Sequence, residues 1–203
     1  MKIIDPSVKL ATDFVGKDVM QFLERCGRVC YKSENKITNG SSEKFIRNII
    51  KRGHESVLEH FSATFIIICD RGISHEIVRH RIASYSQEST RYCDYAKGEL
   101  TFVKPCFWNE QSLSYCAWKN TMQQIEDKYL ILRDNKSKPE EARSILPNSL
   151  KTELVMTANL REWRHFFKLR TSENAHPQMR QIARMMLHVL EEKLPVVFED
   201  IKE

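Results

Sequence analysis

Apolar and polar positions along this chain repeat with two different periods, and the switches between them outline the fold. Between residues 17 and 31, Val19, Phe22, Leu23, Cys26 and Val29 recur at helical spacing and predict one buried stripe. A second helix is expected over 42–52, with Ser41 or Ser42 as its cap and Gly53 at the position that follows a helix end. The stretch SATFIIICD, 62–70, is β-branched and aromatic and predicts a buried strand. Gly72 then leads into an expected helix from Ile73 to about Ser84. A short strand is expected at 99–103 and a long amphipathic helix at 109–133. Pro139 and Pro147 bracket a short helix. Residues 151–158 alternate as a strand, and 160–170 and 177–194 read as two further helices, the second opened by Pro177. In the first of these, Trp163, Phe166, Phe167 and Leu169 supply the buried face. Strands and helices mix without regular βαβ alternation, which predicts an α+β fold. No repeat, low-complexity tract or Pro/Gly-rich linker divides the chain, so residues 1–203 are expected to form a single domain.

Composition narrows the function. Lys and Arg number 32 against 27 Asp and Glu, a net charge of +5. That excess suits an anionic ligand but is too dispersed for the concentrated basic face of a nucleic-acid binder. The longest apolar run, Phe65 to Cys69, is too short to cross a bilayer, and MKIIDPSVKL has no secretory character. The six cysteines form no CxxC pair, and Cys69 falls in the expected buried strand. They read as reduced thiols of a cytoplasmic protein, with Cys106 a small packed residue.

Several familiar chemistries are absent. HESVLEH and HEIVRH resemble zinc-protease motifs, but their histidines are six and five residues apart rather than four. On a helix those spacings point about 240° and 140° apart, so no metal site is expected. There is no G-x-S-x-G elbow and no glycine-rich phosphate loop. With six glycines in the chain, phosphate binding must fall to arginine, which grips anions by bidentate charge-assisted bonds. The densest arginine stretch is RHRIASYSQESTRY, residues 79–92, with Arg79, His80, Arg81 and Arg91 among six hydroxyl side chains. On a continuing helix, Arg79, His80 and Arg81 would point about 100° apart and serve three different neighbours. NLREWRHFFKLR, 159–170, is a second patch, in which Arg161 and His165 share a face. Arg143 in EEARSIL, close to Glu141, is a third.

RHR followed by seven residues and Ser89 resembles the signature of the flavin-dependent thymidylate synthases. GHESVLEH (53–60), ARSILP (142–147), NLREWRHFFKLR and NAHPQMR (174–180) resemble that family's other segments, in the same order over roughly residues 20–195. The resemblance implies an α+β homotetramer whose active sites are shared between subunits. It implies conversion of dUMP to dTMP with carbon from 5,10-methylenetetrahydrofolate and reducing equivalents from NADPH through FAD. It assigns His54, Ser56, Glu59, Arg79, His80, Arg81, Ile82, Gln87, Asn159, Arg161 and His165 to the flavin. Glu76, Arg79, Gln87, Glu88, Ser89, Thr90, Arg91, Arg143 and Arg170 fall to dUMP, with Arg170 facing the pyrimidine as the catalytic group. Ile82 and Ala83 become an apolar wall beside the ligands, and Ser89 a binding group rather than a nucleophile. The competing reading is a basic nucleotide- or RNA-binding module without redox chemistry, using Trp163, Phe166 and Phe167 as a stacking platform.

Overall fold

A computed structural model describes residues 1–202; Glu203, the last residue of the expected domain, lies outside the described residues. The elements run β1 (Lys2–Ile4), β2 (Ser7–Leu10), α1 (Gly16–Val29), α2 (Ser41–Lys51), β3 (Ser62–Asp70), α3 (Arg71–Ile77) and β4 (Ala83–Gln87). There follow β5 (Thr101–Val103), α4 (Leu113–Asp134), α5 (Pro139–Ala142), β6 (Lys151–Asn159), α6 (Leu160–Arg170), α7 (Pro177–Lys193) and α8 (Pro195–Phe198). Helices and two small sheets make the fold α+β, as expected. One sheet pairs β1 with β5 in parallel; the other has the order β2-β3-β6-β4. The chain forms two compact units. The first contains Met1–Ser7, Ile67–Arg79 and Tyr85–Val155; the second contains Val8–Ile66, His80–Ser84 and the chain from Met156 on.

In the first unit, Phe102, Tyr115, Trp118, Met122 and Tyr129 build the core beneath α4. Ser112 starts α4 by accepting the Tyr115 N–H at 3.2 Å, and the Trp118 indole N–H finds the Ser149 hydroxyl at 3.0 Å. At the far end of α4, Arg133 is held by both carboxylate oxygens of Asp94, at 2.9 and 2.7 Å. The Arg133 guanidinium holds the Asp94 carboxyl below the usual carboxylate range.

The second unit is built on α6. Its Trp163 packs edge-on to Phe65 at 5.2 Å and stacks on Phe167 at 5.7 Å, and Phe167 meets Phe198 of α8. The indole N–H of Trp163 donates to the Ala63 carbonyl, so the large ring is buried without an unmet donor. On the same helix Arg164 is 1% exposed, yet charged and paired with Asp200 at 2.6 and 2.8 Å and Glu55 at 3.2 Å. Gly27 lets α1 approach α2: a Cβ there would stand 2.6 Å from the Phe45 ring.

Much of the expected pattern is present, with instructive exceptions. β3, β6, α6 and α7 lie within a residue or so of their expected limits. Gly53 does end α2, at φ 72°. No serine caps that helix, however. The Ser41 hydroxyl turns away to Glu24 at 2.7 Å and Gly40 occupies the cap at φ 83°. The largest departure concerns the helix expected to reach Ser84: α3 stops at Ile77. Its open Ile77 carbonyl accepts the Tyr85 hydroxyl at 3.0 Å, so the helix end is satisfied from the following strand. From Ala83 to Gln87 burial alternates residue by residue, a period of two that belongs to a strand. Arg79, His80 and Arg81 therefore lie in the connection between α3 and β4, not on a helix. Leu169 and Phe22 are exposed rather than buried, and so is Cys106. Cys69 is buried, which pushes its thiol up to about 12.

Candidate functional site

A cleft in each unit includes residues singled out in the sequence. The cleft of the second unit encloses about 490 Å³. Asn159, Arg161, Glu162, His165 and Lys168 line it from the start and outer face of α6. Glu55 and Glu59 come from the 3-10 turn Glu55–His60, and Ile82 from the stretch before β4. Asn159 is the N-cap: its Oδ1 accepts the Glu162 N–H at 2.9 Å, which fixes the start of the helix. Arg161 and His165, one turn apart, share the cleft as expected. Ile82, 69% exposed, offers an apolar wall. Most cations in this cleft already have partners. Arg161 Nη1 lies 2.6 Å from Glu59, and Lys168 shares Glu55 with Arg164.

Beneath this cleft lies a buried cluster. His80 Nδ1 is 3.0 Å from Glu162 Oε1, with both side chains under a tenth exposed. Arg170 donates its Nε–H to His80 Nε2 at 3.1 Å. The His80 ring meets Phe166 at 4.7 Å and His165 at 5.7 Å. Burial holds the His80 imidazole below the usual histidine range; the Glu162 hydrogen bond opposes this and the Arg170 charge reinforces it. His80, Glu162 and His165 place possible metal-ligand atoms within 4.8 Å of one another. The arrangement reads as a hydrogen-bond network instead, since both His80 nitrogens are engaged and a guanidinium stands where a cation's field would fall.

The cleft of the first unit encloses about 460 Å³ and is lined by Arg71, His75, Thr90, Glu140, Arg143 and Asn148, among others. Arg143 reaches the Thr90 hydroxyl at a long 3.4 Å, not Glu141, whose carboxylate accepts the Lys138 N–H. Arg91 lies 3.8 Å from Glu140 and over the Tyr92 ring. Arg71 Nη1 is buried with no hydrogen-bond partner among the described residues. Glu88, by contrast, is saturated: it accepts from the Tyr95 hydroxyl, Lys151 Nζ and the Glu153 N–H. Burial and that bond to Glu88 raise the Tyr95 hydroxyl well above the usual tyrosine range. Gln87 points inward, donating to the hydroxyls of Ser74 and Thr152. The Ser89 hydroxyl accepts the Arg91 N–H at 3.3 Å, and Glu76 is half-buried at the end of α3.

The residues named for the flavin thus gather in the second unit, and those named for dUMP gather in the first. Arg79 and Gln87, given both roles, belong to the first unit, and Arg170 belongs to the second. Arg79 and Arg81 are exposed, as is Ser56. His54 lies apart from the Arg161 cleft. It lines another hollow of about 310 Å³, with Tyr31 Oη 3.4 Å from its Nδ1. Sequence reasoning missed Glu162, Lys168 and Arg71. Glu162 had a signal: Asn followed three residues later by Glu, just before an apolar run, marks a helix start.

The model of the family described as thymidylate synthase complementing protein matches residues 15–196. A flavin-dependent thymidylate synthase from Geobacter sulfurreducens is 37% identical, over 85% of this chain and 78% of its own length. One from Mycobacteroides abscessus is 33% identical, over 98% of this chain and 85% of its own. Among solved structures, the UMP/dUMP methylase PolB from Streptomyces cacaoi, bound with 5-Br dUMP, superposes with a TM-score of 0.82 at 24% identity. That match covers 98% of this chain and 96% of the other, and it shows a shared fold. From α1 to the start of α8, this chain belongs to the thymidylate synthase complementing protein family, the flavin-dependent thymidylate synthases.

Proposed function

We propose that the protein methylates dUMP to dTMP with FAD as cofactor, 5,10-methylenetetrahydrofolate as carbon donor and NADPH as reductant. The single observation that carries this reading is that Glu59, Ile82, Asn159, Arg161 and His165 line one cleft while Thr90 and Arg143 line another of different chemistry. Similar chains are named for this reaction, and the PolB structure that shares the fold was solved with a dUMP analogue.

The second unit's cleft fits a flavin in its donor set. Ile82 supplies an apolar face, and Asn159, Arg161 and His165 supply polar groups at its edge. Its carboxylates cancel much of its positive charge, so a diphosphate needs further cations. The exposed Arg79 and Arg81 are suited to supply them to a neighbouring copy, which favours a homotetramer with shared sites. FAD held in this cleft by Asn159, Arg161, His165 and the Ile82 face would supply the hydride chemistry that the reaction needs. The protein's part is binding, orientation and charge. Arg143, Thr90, Ser89 and Arg91 hold the nucleotide phosphate by charge-assisted and neutral hydrogen bonds. Arg170 faces the pyrimidine and stabilises its ionised, electron-rich form. The whole chain acts as one domain in the cytoplasm.

The RNA-binding reading loses its platform, because Trp163, Phe166 and Phe167 are all fully buried. The deciding experiment adds FAD, dUMP, methylenetetrahydrofolate and NADPH to purified protein and measures dTMP by chromatography. The expected result is a yellow protein with dUMP-stimulated NADPH oxidation and dTMP formation. Protein that neither binds FAD nor forms dTMP overturns the reading.

A further inference from the structure

Arg170 is the residue proposed to act on the pyrimidine, and a long flexible side chain does not aim itself. The cluster beneath the cleft contains what aims it. Guanidinium Nε carries a hydrogen and no lone pair, so it can only donate. His80 Nε2, 3.1 Å away, must therefore present a lone pair. The imidazole is then neutral with its hydrogen on Nδ1, and that hydrogen points at Glu162 Oε1, 3.0 Å away. The three groups form one directed chain in which Arg170 donates to His80 and His80 donates to Glu162.

We propose that Glu162 is a positioning residue: by accepting the Nδ1 hydrogen it selects the His80 tautomer that can hold Arg170. Which nitrogen of a histidine is protonated is set by the partner of the other nitrogen. Without an acceptor at Nδ1, that N–H would be a buried donor left unpaired, which costs free energy. Moving the hydrogen to Nε2 relieves that cost only if the Arg170 donor swings away, so the Nδ1–H tautomer and the Arg170 contact weaken together. Burial makes the selection strict, because the His80 side chain is 4% exposed and Glu162 8%, so water is a poor substitute acceptor. Glu162 is itself fixed from behind, since its backbone N–H is held by the Asn159 cap. The ordinary role of an acid in the first helical turn is to favour the helix dipole. A dipole role needs no contact with His80, and the buried 3.0 Å contact is what separates the two roles.

The assignment rests on the proposed role of Arg170, but its test reads a proton directly. Ring-15N-histidine NMR on the purified protein distinguishes Nδ1–H from Nε2–H, with the His80 signals identified by their loss in His80→Gln. The wild-type spectrum at neutral pH is expected to show neutral His80 protonated on Nδ1. Glu162→Gln keeps an acceptor oxygen and is expected to retain that tautomer and most of the turnover. Glu162→Leu is expected to lose the Nδ1–H signature and to lower kcat at saturating dUMP by on the order of a hundredfold, as a misplaced catalytic group does. An Nε2–H or doubly protonated His80 in the wild type overturns the proposal, whether or not the leucine variant folds. An unchanged tautomer in Glu162→Leu, or a changed tautomer with unchanged turnover, overturns it as well. A wild-type protein that made no dTMP would instead overturn the proposed reaction and leave the tautomer reading standing.

Discussion

The two clefts use arginine in opposite ways. In the second unit the guanidiniums arrive with close counter-charges: Arg161 faces Glu59 at 2.6 Å, and Arg164 faces Asp200 at 2.6 Å and Glu55 at 3.2 Å. In the first unit Arg143 has a long bond to a hydroxyl and Arg91 a glutamate 3.8 Å away, and Arg71 Nη1 is buried with no hydrogen-bond partner among the described residues. A cleft whose charges are already met presents shape, an apolar wall and hydrogen-bonding edges. Under the proposed function an anion in the first unit's cleft would meet the buried Arg71 Nη1, a donor that costs free energy while it lacks an acceptor. The contrast teaches that net basicity, spread over the whole chain, does not say which cations are free to meet an anion. The count of cations already satisfied is the better guide.

The contrast can be attacked most strongly at Arg164, which anchors the carboxylates behind the second unit's cleft. Arg164 is 1% exposed, so removing its partners strands a buried charge, and the double variant Glu55→Leu/Asp200→Leu should lower the unfolding free energy by about 3–5 kcal/mol, read by urea denaturation. A loss under 1 kcal/mol would mean that the network is not structural. Next in size is Arg170→Ala. Loss of a fixed charge opposite a developing one costs on the order of a hundred- to a thousandfold in kcat, measured with saturating FAD and dUMP.

Acid stability separates the network's members. The Arg164 hydrogen bond holds the Asp200 carboxyl below the usual carboxylate range. A depressed folded pKa contributes stability that is fully present above the unfolded carboxylate value and is lost as pH falls through the folded one. The gap in thermal stability between wild type and Asp200→Asn should therefore be widest near neutrality and close on acidification. A gap independent of pH would show that the Asp200 charge contributes nothing. The smallest effect is expected at Glu59, nearly half exposed beside Arg161. Glu59→Gln should change the unfolding free energy by less than about 1 kcal/mol, as surface pairs do.

How much of this the sequence disclosed depends on the range of the forces involved. β3 and β6 were legible because period-two burial is a local pattern, and α7 because Pro177 marks its start. The connection after Ile77 was not, because the helix ends through a hydroxyl eight residues on, in a strand whose partners are distant in sequence. Leu169 matches the helical stripe of α6 but faces out, where periodicity alone cannot say how wide the buried face is. The candidate residues were legible as a set through family resemblance. Their partners were not: Glu162 lies 82 residues from His80, and Arg71 shows its unmet nitrogen only in three dimensions.

The central claim is that the two clefts hold different ligands, and paired titrations test it most directly. Dissociation constants for FAD and for dUMP should be measured by calorimetry on Arg161→Ala and Arg143→Ala. Charge-assisted bonds of about 1.5–3 kcal/mol predict a roughly ten- to hundredfold loss of dUMP affinity in Arg143→Ala with FAD nearly unchanged, and a loss confined to FAD in Arg161→Ala. Equal losses of both ligands in both variants would contradict the division.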